Sequence, residues 1–228
     1  MRICGLQKTT LLDYPGKVAC TVFLGGCNFR CPFCQNSEIL SAASPAAYTE
    51  EELFAFLQKR RGILEGVCVS GGEPLLHEEA EELLKKIKAL GYCVKVDTNG
   101  SFPARLKKLC AAGLVDFVAM DIKNSPAKYA QTCGAAVELA AVRESAAFLL
   151  EGGVDYEFRT TVADELHTEE DMEEIGAWLA GAKRFYLQNF RDAETVLCPG
   201  LHPCSEKKLQ AFRAVLRRTI PEAKIRGE

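Results

Sequence analysis

Cys27, Cys31 and Cys34 place three thiols within one short stretch, CNFRCPFC, at spacing C-x3-C-x2-C. Three thiolates can hold three irons of a cubane iron–sulfur cluster, whose shell a fourth cysteine normally completes. No fourth cysteine follows nearby; the next is Cys68. One iron would therefore stay open to bind and activate a small molecule. A structural zinc site wants four closed ligands, so the missing one points to catalysis. A non-enzymatic zinc-binding module is the rival reading.

Other chemistry-bearing residues come in short polar runs, each directly after an apolar one. They are Ser70-Gly71-Gly72-Glu73-Pro74, Asp97-Thr98-Asn99-Gly100 and Asp121-Ile122-Lys123, followed by Arg159 within YEFRTTV and by Gln188-Asn189. Each has a plainer alternative: Asp97 to Gly100 as a turn, Lys123 as a solvated loop charge, Arg159 as half of a structural ion pair. Cys198 and Cys204 bracket His202 in CPGLHPC, which reads as loop. His77 and His167 fall at helix starts and are expected at the surface.

The elements that must position these residues alternate. Strands are predicted over 18–24, 66–70, 92–97, 116–122, 156–162 and 184–189, from short apolar and β-branched runs. Helices are predicted over 49–60, 78–90, 103–112, 138–150, 168–179 and 205–218. Thr49 with Glu52, and Thr168 with Asp171, have the pattern of a capping box; Gly91 suits a helix C-terminus. Six strand–helix alternations argue for α/β architecture with parallel strands and outer helices. Six units are two short of a closed eight-fold barrel, so an open, partial β/α barrel is expected, with a lateral gap for a large substrate. Active sites in such folds form at the carboxyl ends of strands, where the polar runs fall. One domain is expected over 1–228: an N-terminal extension (1–17), the partial barrel (18–190), and a C-terminal loop and helix (191–228).

The net charge of -3 gives no global pull toward nucleic acid or anionic membrane. No apolar stretch approaches the roughly 20 residues that span a bilayer, and the N-terminus has no signal-peptide pattern. A cytoplasmic protein is expected. Eleven cysteines in such a setting rarely mean disulfides, and point to an anaerobic cell. Cys20, Cys68, Cys93 and Cys110 read as small buried hydrophobes.

Together the cysteine motif and SGGEP resemble the radical S-adenosylmethionine (SAM) superfamily, over nearly the whole chain. The resemblance implies one 4Fe-4S cluster on Cys27, Cys31 and Cys34, with SAM chelated by the open iron. Reductive cleavage of SAM would yield methionine and a 5′-deoxyadenosyl radical that abstracts hydrogen. It further implies cofactor contacts from Phe33, Asn36, Gly71, Gly72, Glu73, Asp97, Asn99, Lys123 and Arg159. Phe33 would lie near the adenine, the SGGEP backbone would meet the methionine ammonium, and Lys123 its carboxylate. In some activases, acids at strand ends also hold a monovalent cation; Asp97, Thr98 and Asp121 are the matching positions.

The blocks GLQKTTLLDYPGKVACTVFLGGCNFRCPFCQN and LHTEEDMEEIGAWLAGAKRFYLQNF resemble activating proteins of anaerobic ribonucleoside-triphosphate reductase, a family of glycyl-radical enzyme activases. The implied partners are that reductase and an electron donor such as flavodoxin or ferredoxin. Gln35 stands where many activases have histidine, and cannot titrate; Asn36 keeps the match. The stretch from Ser37 to Val69 contains a single cysteine, Cys68, so a single cluster is expected. A radical SAM enzyme acting on a small molecule, such as a deazaguanine synthase, is the alternative.

Overall fold

Strands that bury both faces read as nearly continuous apolar runs, and the amphipathic stretches between them supply the covering helices. The computed structural model describes residues 1–227. Eight strands follow one another in a single sheet in chain order. They are β1 (Ile3–Thr10), β2 (Ala19–Leu24), β3 (Gly66–Gly71), β4 (Cys93–Thr98), β5 (Phe117–Asp121), β6 (Asp155–Val162), β7 (Phe185–Asn189) and β8 (Ala223–Ile225). Among the described residues no pairing joins β8 to β1, so the sheet is open, as expected. Seven helices intervene: α1 (Glu50–Lys59), α2 (Ala80–Ala89), α3 (Pro103–Ala111), α4 (Tyr129–Cys133), α5 (Leu139–Leu150), α6 (Glu169–Trp178) and α7 (Glu206–Leu216).

Two strands exceed the six read from sequence. β1 lies within the stretch assigned to an N-terminal extension and runs antiparallel to β2. Its Gln7, Lys8 and Thr9 are exposed, as an edge strand allows, which hides it from an apolar-run search. β8 has only three residues.

By its internal contacts the chain divides into two compact units. The first holds residues 1–28, 38–98 and 102–118. Here β2, β3 and β4 are parallel and in register, Thr21 opposite Cys68 and Cys68 opposite Lys95. Side chains alternate across the strands. Val67, Val69, Val94 and Val96 are buried, as are Leu53 and Leu57 of α1, Leu83, Leu84 and Ile87 of α2, and Leu106 and Leu109 of α3. Each such buried side chain contributes roughly 1.5–3 kcal/mol. Helix α1 starts at the expected capping box: Thr49 Oγ1 accepts from Glu52 N (3.1 Å) and Glu52 Oε2 from Thr49 N (2.8 Å).

The second unit holds residues 29–37, 99–101 and 119–228. Its β6, β7 and β8 are parallel, with Arg159 opposite Tyr186 and Tyr186 opposite Lys224. Phe158, Phe185, Leu187, Met172, Ile175, Phe212 and Leu216 are buried within it. Thr168 and Asp171 form the second capping box, at α6. Among the described residues no helix is long and apolar enough to cross a membrane.

Candidate active site

In the first unit, backbone hydrogen bonds tie the segments after β2 and β3 together. Gly72 N donates to Leu24 O (2.9 Å), Glu73 N to Gly26 O (2.8 Å) and Cys27 N to Leu40 O (3.0 Å). Only glycine permits this approach. A Cβ on Gly72 would lie 2.0 Å from Gly26 O, and one on Gly71, at φ +121°, would lie 2.3 Å from the Leu24 backbone. The Glu73 side chain turns back onto its own surroundings, where its Oε1 accepts from Leu75 N (3.0 Å) and from Thr98 Oγ1 (2.8 Å). It is fully buried. What this segment can offer a ligand is therefore its backbone.

Asp97, near the end of β4, receives Ser70 Oγ on Oδ2 (3.1 Å) and the ammonium of Lys95 on Oδ1. Cys68 Sγ lies 3.6 Å from Asp97 Oδ1 and 3.7 Å from Lys95 Nζ. The polar positions of β3 and β4 thus form one hydrogen-bonded ladder, opposite in face to the valines.

In the second unit the rest of the cysteine motif folds as a tight turn, Cys34 N donating to Cys31 O (3.0 Å). The preceding Arg30 N donates to Cys133 O at the end of α4 (2.8 Å). The segment 191–198 lies along this turn: Leu197 N donates to Cys34 O (3.1 Å), Cys198 N to Pro32 O (3.0 Å), and Gln35 Nε2 to Arg191 O (2.8 Å). Phe33 is buried, with Lys123 Nζ 5.9 Å from its ring centroid. Asp121, the last residue of β5, pairs with Lys123 Nζ (3.0 Å) and Arg159 Nε (2.9 Å). Asn36 is half-buried, and Asn99 Oδ1 caps its own turn by accepting from Ser101 N (3.0 Å).

The thiols differ in character. Burial pushes Cys20 up to about 12, and Cys110 and Cys204 up to about 11. Cys31 goes the other way, down to about 7. A hydrogen bond with the Cys133 thiol and the positive charge of Lys123 outweigh the burial that opposes them. Cys34 is raised by burial. Lys123 is held well above the usual ammonium range: burial opposes this, but the Asp121 and Cys31 charges prevail. Metal affinity rewards thiolates that are already deprotonated. A low thiol beside a fixed cation fits a cluster bound through cysteine. Among the described residues no three His, Cys, Asp or Glu side chains surround one ion position. That describes ligands sharing one ion, whereas a cubane takes each thiolate on a different iron.

Three contributors escaped the sequence reading. Cys133 is far from the motif in the chain. Lys95 and Cys68 sit inside apolar strands, where Cys68 read as a bland hydrophobe; Cys93 and Cys110 are half-buried rather than buried. The two histidines are corrected. His167 is fully buried, with Nε2 3.0 Å from Lys123 O and Nδ1 3.2 Å from Ala163 N, so it props the backbone beside Lys123. His77 is half-buried, with Nε2 2.6 Å from Gly25 O. In both cases a long-range backbone contact, invisible to local pattern, drew the ring inward.

Comparison with known proteins gives this geometry a lineage. The Radical SAM superfamily matches residues 21–179. A protein of Methanocaldococcus jannaschii, provisionally named a glycyl-radical enzyme activating enzyme, is 28% identical over 98% of this chain and 95% of its own length. A 7-carboxy-7-deazaguanine synthase of Halobacterium salinarum is 38% identical, but over only 40% of this chain and 36% of its own. A crystallised domain of pyruvate-formate lyase-activating enzyme from Bacteroides vulgatus superposes with TM-score 0.59, covering 71% of this chain and 99% of that domain at 20% identity, which shows the fold. The chain belongs to the Radical SAM superfamily and is a radical SAM enzyme, with a 4Fe-4S cluster and SAM as its cofactors.

Proposed function

We propose that this cytoplasmic enzyme activates a glycyl-radical partner, namely an anaerobic ribonucleoside-triphosphate reductase, with flavodoxin or ferredoxin as electron donor. The observation that carries this reading is the similarity to an activating enzyme along 98% of the chain. The two N- and C-terminal blocks that resemble reductase activators support the choice of partner. When bound, the cluster and SAM would together supply a carbon radical able to take hydrogen from a backbone glycine, whose C–H bond is inert to acid–base chemistry at neutral pH.

The chain's own residues hold and orient. Cys27, Cys31 and Cys34 hold the cluster, and the low Cys31 thiol gives up its proton readily at neutral pH. The carbonyls of the Gly71-Gly72 segment would accept hydrogen bonds from the methionine ammonium, since nothing projects from the glycines to obstruct them. Lys123 and Arg159 already compensate Asp121; a ligand carboxylate would draw on the same two cations. Phe33, buried beside Lys123, would present an apolar face to the adenine and exclude water there.

The test is anoxic. The reconstituted, reduced enzyme is mixed with SAM and the anaerobic reductase from the same genome. A glycyl radical doublet in electron paramagnetic resonance supports the assignment; none, with SAM cleavage intact, removes it. The partial likeness to a deazaguanine synthase favours one other reading, action on a small heterocyclic substrate. That reading gains if such a substrate alone stimulates 5′-deoxyadenosine release.

A further inference from the structure

Resting on that functional reading, we propose that Lys95 is a positioning residue which supplies the site with a tethered cation, so that Asp97 binds no sodium or potassium ion. Lysine is almost never fully buried unless paired, and desolvating its ammonium costs several kcal/mol. Lys95 is nonetheless 0% exposed, in the middle of β4. Its ammonium meets one oxygen of Asp97, whose side chain is 15% exposed. The other oxygen is taken by Ser70 Oγ at 3.1 Å. Cys68 Sγ, 3.7 Å from the ammonium and 3.6 Å from the carboxylate, closes the triangle from the neighbouring strand.

A carboxylate so occupied has poor means of ligating a second cation, which would also meet the fixed ammonium as a like charge. Asp121, another position that the resemblance marks for a cation, lies in the second unit and already carries Lys123 and Arg159. The surroundings of Asp97 therefore do not fit a bound monovalent metal. Lys95 places the equivalent charge by covalent attachment, fixing Asp97 at the strand end where SAM is to be held.

SAM affinity of the reconstituted enzyme is measured by calorimetry in potassium, sodium or tetramethylammonium chloride at equal ionic strength. Wild type is expected to bind alike in all three. Lys95→Met should bind roughly 10-fold more weakly in tetramethylammonium, the scale of losing an outer-shell partner, and recover in potassium or sodium. The thermal midpoint of the metal-free chain in the same salts gives a reading independent of the cluster: wild type indifferent, Lys95→Met stabilised by the small cations. A wild type whose affinity or metal-free midpoint rises with potassium or sodium overturns the proposal. So does a folded Lys95→Met that matches wild type in every salt. Should Lys95→Met not fold, the metal-free midpoint of wild type decides: indifference to the three salts supports the proposal, and a rise with potassium or sodium refutes it. A wild type that assembles no cluster or binds no SAM would instead strike the functional reading, and the metal-free measurement would still decide Lys95.

Discussion

Each unit carries, at or next to a strand end, an aspartate held by the chain's own cations, yet the two arrangements differ. Asp97 pairs with a lysine that is sealed from solvent, two residues earlier on the same strand. Asp121 pairs with Lys123 and Arg159, which are 16% and 11% exposed, and is itself 30% exposed. A sealed pair cannot exchange partners without leaving a buried charge uncompensated, whereas a half-open one can give up its cations to an arriving anion. The first is suited to fixing geometry, the second to binding. The contrast also separates thiols: Cys68 lies in the sealed ladder, and Cys31 beside the open cations.

The largest expected effect lies outside both pairs. Cys31→Ala should lower bound iron and 5′-deoxyadenosine release by more than about 100-fold, beyond the range typical of outer-shell changes; retention of either would remove the cluster assignment. Next in size is the sealed pair. Lys95→Met should cost roughly 3–5 kcal/mol of stability in denaturant titration, the usual result of orphaning a buried charge. Lys123→Met should cost much less stability but weaken SAM binding by roughly 10- to 100-fold, the worth of a charge-assisted hydrogen bond. Equal stability losses for the two lysines would erase the distinction drawn between the units. Gly72→Ala should destabilise by about 3 kcal/mol, because the new methyl meets a backbone oxygen rather than a side chain that could turn away.

Two smaller effects depend on pH. In the metal-free chain, alkylation of Cys31 should rise through a midpoint near about 7. Cys133→Ala should move that midpoint upward, since the largest stabiliser of the thiolate is gone; an unchanged profile would mean that Lys123 alone sets it. Smallest is the exposed His202–Glu165 pair (2.6 Å). Glu165 raises the His202 value above its ordinary 6.5, and His202 lowers that of Glu165 from 4.5 to about 2. The raised histidine stabilises fully below pH 6.5 and loses that contribution as pH climbs through its folded value. The depressed carboxylate stabilises fully above pH 4.5 and fades as pH falls toward 2. His202→Ala should thus lower the thermal midpoint slightly between pH 4.5 and 6.5, less so in high salt, and progressively less as pH climbs through the raised value of the histidine.

Much of this protein is local in origin, and that part was readable. Six strands announce themselves as short runs rich in apolar and β-branched residues, even where a polar residue such as Lys95 interrupts them. Helices α1 and α6 start where Thr49 and Thr168 allow, since a capping box closes within four residues. The cysteine motif and SGGEP carry their chemistry in spacing alone. Tertiary structure decided what depends on distant segments meeting. It paired β1, three of whose eight residues are exposed, with β2. It buried His167 against the backbone of Lys123, set Cys133 beside Cys31, and placed a lysine beneath Asp97. Sequence spacing reports which atoms one segment can bring together; the charge and hydrogen-bond partners of a buried group come from whichever strand or loop packs against it, and only the folded chain specifies that.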